Sequence, residues 1–158
     1  MIPPIQQITD YACAAAAFQA AVADRGIVAD QKELMVLMGT RPGIGTSSSG
    51  IVAACNHYKI PYLYRSPLEL EEMQECLENG CQVIAAVQLW GEEEFPYLNC
   101  NSFDSGHYIN PMKVTDTHVY FMDTFVARYL KLTISEFKCR WHNEFANRYT
   151  RQMAFILL

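Results

Sequence analysis

Four side chains in this sequence, Gln7, Cys13, His107 and Asp123, are of the types that together carry out acyl transfer. A cysteine attacks a carbonyl only as its thiolate, so it needs a base or a positive field beside it. An imidazole supplies that base and then returns the proton to the leaving group. A carboxylate behind the imidazole fixes its orientation and stabilises its charged form. An amide side chain can donate to the oxyanion that develops on the attacked carbonyl, with the backbone N–H of the cysteine as the natural second donor.

The surrounding elements must bring these groups together. Pro3 and Pro4 keep the first residues extended. Asp10 is a suitable N-cap for an Ala-rich helix from about Tyr11 to Asp24, closed by Gly26. Cys13 would lie in its first turn, where the helix dipole and unpaired N–H groups favour a thiolate. Asp30 and Glu33 form a capping box for a short helix to about Met38. After the loop Thr40–Gly50, a helix is expected over about Ser48–Tyr58, then a short strand over Ile60–Tyr64. Ser66-Pro67-Leu68-Glu69 reads as the start of a helix running to about Glu78 and stopped by Gly80.

Beyond Gly80 the hydrophobic period changes. Gln82–Trp90 is an apolar run suited to a buried strand. His107–Val114 and His118–Phe125 flank the turn Thr115-Asp116-Thr117 as a hairpin. That hairpin sets His107 within two or three residues of a position opposite Asp123, close enough for diagonal contact. Tyr129–Leu132 suggests a further strand, Ser135 caps a short helix carrying Phe137 and Trp141, and Met153–Leu158 ends the chain as a strand. Helices first and an antiparallel sheet after them define an α+β class, read as one domain over residues 1–158.

Composition narrows the functions. The chain has 158 residues, 51% of them apolar and 18% charged, which suits a packed core. Twelve Lys and Arg against seventeen Asp and Glu give a net charge of −5, without the basic stripe of a nucleic-acid binder. The longest apolar candidate, Ala12–Ala23, is shorter than the roughly 18–20 residues a membrane span requires, and it lacks the basic flank of a signal peptide. A cytoplasmic location follows as the expectation. Under it the six cysteines, Cys13, Cys55, Cys76, Cys81, Cys100 and Cys139, are expected as reduced thiols. Their spacing fits no zinc site, and no cofactor motif is present, so neither metal nor cofactor is expected.

The string QITDYACAAAAF, Gln7–Phe18, resembles the opening motif of the bacteriocin-processing, double-glycine-leader cysteine peptidases, which are papain-like. GTSSSG, SPLELEEMQECLENGCQVIAAV, GHYINPMKVTDTHVYFMDTF and SEFKCRW resemble later family segments in the same order, so the resemblance spans nearly the whole chain. It implies a papain-like fold, helical half on antiparallel sheet. It also implies Cys13 as nucleophile, His107 as general base and acid, Asp123 as orienting carboxylate and Gln7 in the oxyanion hole. The implied partner is a peptide or protein substrate, commonly a leader cut after Gly-Gly. Ala14, Ala15, Thr124 and Asn110–Met112 depart from the family pattern. With no transporter segments, a stand-alone peptidase is expected.

Other readings use the same residues. Cys13 can be a small buried hydrophobe, with the domain a catalytically silent peptide or protein binder. The same triad can also serve an acyltransferase or an effector. His118 competes with His107, and Asp104 and Asp116 with Asp123, although Asp116 suits the turn. His57 and His142 are expected on exposed helix surface. The Glu92–Glu94 run reads as a solvated loop, or as a site for a basic segment. Trp90, Tyr97, Phe103 and Tyr108 are expected mostly in the core, with some of them able to line a substrate groove, and the other five cysteines as structural or incidental.

Overall fold

The structure is a computed structural model, described here for residues 1–90, 100 and 102–158. The expected loop Gly91–Gly106, with Glu92–Glu94 and Tyr97, lies mostly outside the described residues.

Three helices come first: α1 (Cys13–Ala23), α2 (Gln31–Leu37) and α3 (Ser48–His57). A strand β1 (Tyr62–Arg65) and a helix α4 (Leu70–Glu78) follow. Next come β2 (Gln82–Gln88), β3 (Gly106–Val114), β4 (His118–Asp123) and β5 (Arg128–Thr133). Helix α5 (Ile134–Arg140) precedes β6 (His142–Phe145), β7 (Arg148–Arg151) and β8 (Ala154–Leu157). The main sheet has six strands in the order β1-β8-β2-β3-β4-β5, every pair antiparallel, and β6 and β7 form a separate hairpin. The α+β class read from the sequence is the class observed.

The apolar run in β2 has a simple cause. Both faces of the sheet are covered, so every residue of β2 is buried. Ile84 and Ala86 pack with α1, α2 and α3, through Phe18, Val22, Leu34 and Ile51. Val83, Ala85 and Val87 pack on the other face with α4 and α5, through Leu70, Met73, Phe137 and Trp141. Strand β8 divides the same way, with Phe155 and Leu157 to one side and Ala154 and Ile156 to the other. Period-two alternation therefore feeds two cores.

Local chemistry altered several expected boundaries. Asp30 caps α2 as expected, its Oδ1 accepting the Glu33 N–H at 3.0 Å. Asp10 does not cap α1. The chain turns through residues 8–11, where the Thr9 hydroxyl accepts the Tyr11 N–H, and Ala12 becomes the N-cap. Cys13 is thereby the first helical residue. Ser66 does not cap α4: its hydroxyl donates to the Arg151 carbonyl and the Leu68 N–H to the Gln152 carbonyl, so α4 starts at Leu70. The cap of α5 is Thr133, not Ser135, because the Thr133 hydroxyl accepts the Glu136 N–H.

The β6–β7 hairpin was not expected. His142 is a buried strand residue rather than an exposed helical one, its Nε2 bonded to the Ser102 carbonyl at 2.6 Å. The expectation of six reduced thiols is also corrected: Cys100 and Cys139 form a disulfide, leaving Cys13, Cys55, Cys76 and Cys81 free. The pairing joins positions 39 residues apart, and six cysteines allow fifteen complete pairings that spacing cannot choose among. Among the described residues no helix is long and apolar enough to cross a membrane, and no cluster of His, Cys, Asp and Glu could hold a metal ion.

Candidate active site

Helix α1 presents Cys13 from its first turn. The Ala14 and Tyr108 backbone N–H groups face its sulfur and favour its ionised form. The Cys13 N–H has no intrahelical acceptor, as at any helix start. The Ala residues behind Cys13 are fully buried, which lets α1 seat closely on β3. The Asn110 amide fixes this docking by donating to the Ala17 carbonyl at 3.0 Å and the Val83 carbonyl at 3.3 Å. Asn110 thus does with a polar side chain what an apolar strand residue would do by packing.

His107 is the second residue of β3 and is 6% exposed. Its Nε2 lies 2.6 Å from Asp123 Oδ1, and its ring faces Cys13 closely enough for each to shift the other's ionisation. An ionised carboxylate only accepts, so Nε2 carries a proton and Nδ1 is the nitrogen left for the sulfur. Asp123 ends β4 and is fully buried. Its Oδ1 also accepts the Phe125 N–H at 2.9 Å, and its Oδ2 accepts the Trp90 Nε1–H at 2.7 Å. Three donors hold the carboxylate, one of them Trp90, a residue expected in the core yet 43% exposed.

The electrostatics follow from this chain of contacts. Burial pushes the Cys13 thiol up, but the His107 hydrogen bond and charge, with the Tyr108 and Ala14 N–H groups, bring it below the ordinary thiol value. Burial opposes charge on His107 too. Bonds to Asp123 and Cys13 overcome it and raise the imidazole to about 9. Asp123 is disfavoured as an anion by burial, yet the bond and charge of His107, with Trp90 and Phe125, hold it below the usual carboxylate range. The three shifts all point towards a thiolate, an imidazolium and a carboxylate. Cys55, buried without such partners, is raised to about 11.

Gln7 is brought to the same region from another direction. Its N–H donates to the Thr124 carbonyl at 2.8 Å, its Nε2 donates to the Thr9 carbonyl at 2.8 Å, and its Oε1 accepts from the Thr124 hydroxyl at 3.1 Å. It does not line the cleft containing Cys13 and His107. That cleft, about 250 Å³, runs between Asp10, Tyr11 and the Gly43–Thr46 loop on one side and Gly106, Tyr108, Asn143, Glu144 and Phe145 on the other. A larger cavity of about 680 Å³ shares Tyr108, Asn143 and Phe145 with it.

The competing residues are elsewhere. His118 bonds its neighbour Thr117, and His57 is exposed at the end of α3. The sequence reading missed Trp90 and the β6 wall. The turn of the wall gives little sequence signal: Ala146 and Asn147 both have positive φ, yet the pair is not one of the Asn-Gly or Asp-Gly links that mark a hairpin.

No protein-family model and no curated protein sequence matches this chain. Solved structures do. The peptidase domain of Streptococcus ComA, a bifunctional ABC transporter involved in quorum sensing, aligns with a TM-score of 0.74 at 14% identity, over 99% of this chain and 98% of that one. A C39-like peptidase from Bacillus anthracis gives 0.72 at 15% identity, over 99% and 94%. A double-glycine-motif protease from an AMS/PCAT transporter, solved with its leader peptide, gives 0.66 at 15% identity, over 99% and 91%. The fold of this chain is therefore the papain-like α+β fold of the C39-like peptidase domains.

Proposed function

We propose that this chain is a cysteine peptidase in which Cys13, His107 and Asp123 hydrolyse a peptide bond through a thioester. The Cys13 thiolate attacks the scissile carbonyl carbon, and the carbonyl π electrons move onto oxygen. The Cys13 N–H donates to that oxyanion, and we assign the second donor to the Gln7 amide, held beside the cleft rather than in its lining by Thr9 and Thr124. One Gln7 N–H is taken by Thr9, which leaves the second for a ligand. Collapse of the tetrahedral species expels the amine, which takes the proton from His107 Nδ1. Water then gives a proton to Nδ1 as it attacks the thioester, and the thiolate leaves. Asp123 holds the ring throughout.

The observation that carries this reading is the two-sided engagement of His107, by Cys13 and by Asp123, with the thiol lowered despite its burial. A structural cysteine in an apolar site would be raised, as Cys55 is. The substrate we infer is a leader peptide cut after two small residues. Gly43, Gly45 and Gly106 line the cleft, leaving room for a backbone to approach, and one structural neighbour was solved with a leader peptide. The test is incubation of the purified chain with synthetic double-glycine leader peptides, read by mass spectrometry. Cleavage after Gly-Gly that vanishes in Cys13→Ala is the expected result. No cleavage of any such peptide, or cleavage that survives Cys13→Ala, overturns the proposal.

A further inference from the structure

Gln7 lies on a stretch ahead of α1 that belongs to no helix or strand. Two clamps hold it. On one side the buried Gln31 side chain accepts the Ile8 N–H at 2.8 Å and donates to the Gln6 carbonyl at 3.1 Å and to Gln19 Oε1 at 2.9 Å. On the other side is Thr124, fully buried and next to Asp123. Its carbonyl accepts the Gln7 N–H, and its hydroxyl lies 3.1 Å from Gln7 Oε1 and 3.3 Å from the Tyr108 carbonyl.

These contacts fix which way the Gln7 amide faces. The Thr9 carbonyl only accepts, so it requires the NH₂ end. The Thr124 hydroxyl has one proton, which it gives to Oε1 at 3.1 Å or to the Tyr108 carbonyl at 3.3 Å. Turned over, the amide would set its oxygen against the Thr9 carbonyl and its NH₂ towards Thr124. A residue without the hydroxyl would leave Oε1 without this donor and the amide held at one end alone. The same hydroxyl also lies against the carbonyl of Tyr108, the residue after His107.

We propose that Thr124 is a positioning residue for the oxyanion donor, its hydroxyl orienting the Gln7 amide. This rests on the reading of Gln7 and Cys13 given above. Preorganised donors account for much of the rate in acyl transfer, and a donor free to turn loses that advantage. The effect should appear in kcat rather than in substrate binding, and should spare the thiolate, which Gln7 does not touch.

The experiment compares Thr124→Val, Thr124→Ala, Thr124→Ser and Gln7→Ala, using a double-glycine peptide that the wild-type chain cleaves. Rates are normalised to the amount of alkylatable Cys13, so that a partly folded variant still gives an interpretable kcat. Thr124→Val and Thr124→Ala should lower kcat by about 10- to 100-fold with KM within about twofold, in line with partial loss of an oxyanion donor. Thr124→Ser should recover most of that loss. Gln7→Ala combined with Thr124→Val should be little worse than Gln7→Ala alone. The pH profile of Cys13 alkylation should be unchanged in all of them. Full kcat in Thr124→Val, equal impairment of Thr124→Ser, or a shifted alkylation profile would overturn the assignment. Cleavage that survives Cys13→Ala would instead sink the peptidase reading, so the two failures are distinguishable.

Discussion

His107 and Asp123 share one face of the sheet because of a single extra residue between their strands. At the turn end Val114 pairs with Val119 and Lys113 with Tyr120. Continued unbroken, that register would set Asp123 opposite Asn110, whose side chain is turned towards α1. The register shifts between Pro111 and Lys113, where Met112 is the extra residue, and Asp123 pairs with Ile109 instead. Residues 107 and 109 lie on the same face, so the carboxylate meets the imidazole diagonally, at 2.6 Å. A one-residue slip flips every side chain, and the bulge makes that slip where the site needs it.

The pH dependence follows from that contact. The reactive form needs Cys13 deprotonated and His107 protonated. Cleavage should therefore rise through the lowered Cys13 value and decline as pH passes about 9, where His107 loses its proton. Asp123 raises His107, so Asp123→Asn should move the alkaline limb to lower pH as well as reduce kcat/KM. A kcat/KM profile with an unmoved alkaline limb would show that Asp123 does not govern the imidazole.

Trp90 supports the carboxylate from the other oxygen. Trp90→Phe keeps the ring beside Phe121 and deletes only the donor. A bond to a charged acceptor is worth about 1.5–3 kcal/mol, and partial exposure places this one at the lower end. We expect kcat/KM to fall by about tenfold, with the alkaline limb near its wild-type position because Asp123 stays ionised. Wild-type kinetics in Trp90→Phe would show that the third donor is dispensable.

Gly50 sets how closely α3 approaches the end of α2. A Cβ there would run into the Met38 backbone carbonyl and sit 2.7 Å from Thr46 Cγ2. Backbone cannot yield as a flexible side chain can, so Gly50→Ala should cost about 3 kcal/mol, the upper part of the overpacking range. A fall in Tm of about 10 °C is the corresponding size, checked by thermal denaturation. An unchanged melt would mean the two helices are not in this contact.

The disulfide is open to direct counting. Thiol titration in denaturant without reductant should find four thiols, from Cys13, Cys55, Cys76 and Cys81, and six after reduction. Losing the 39-residue constraint should cost about 2–4 kcal/mol. Six thiols before reduction would contradict the Cys100–Cys139 pair.

What the sequence disclosed and what it hid have physical causes. The Ala-rich α1, the capped α2 and the hairpin flanking Thr115–Thr117 rest on local rules and emerged within one to three residues. The four site candidates could be named because their types are chemically complementary and because the order of segments resembled a known family. The start of α1 was misplaced because Thr9 competes with Asp10 for the turn. The start of α4 was misplaced because Ser66 and Leu68 bond to Arg151 and Gln152, far along the chain. Trp90 as a partner of Asp123, Cys100 as a partner of Cys139 and the Met112 bulge depend on long-range geometry that no local window contains. The likeness to C39-like domains points the same way: the fold is shared at only 14–15% identity.

The central claim is that folding holds Cys13 as a thiolate through His107. Its most direct test is the rate of Cys13 alkylation by iodoacetamide across pH, followed by peptide mass spectrometry in the wild-type chain and in His107→Ala. Cys13 should react well below the pH at which an ordinary thiol ionises, about 8.5, while Cys55 stays inert, and His107→Ala should return Cys13 to that ordinary range or above it. A wild-type Cys13 that titrates like a free thiol, or one whose profile is the same without His107, would contradict it.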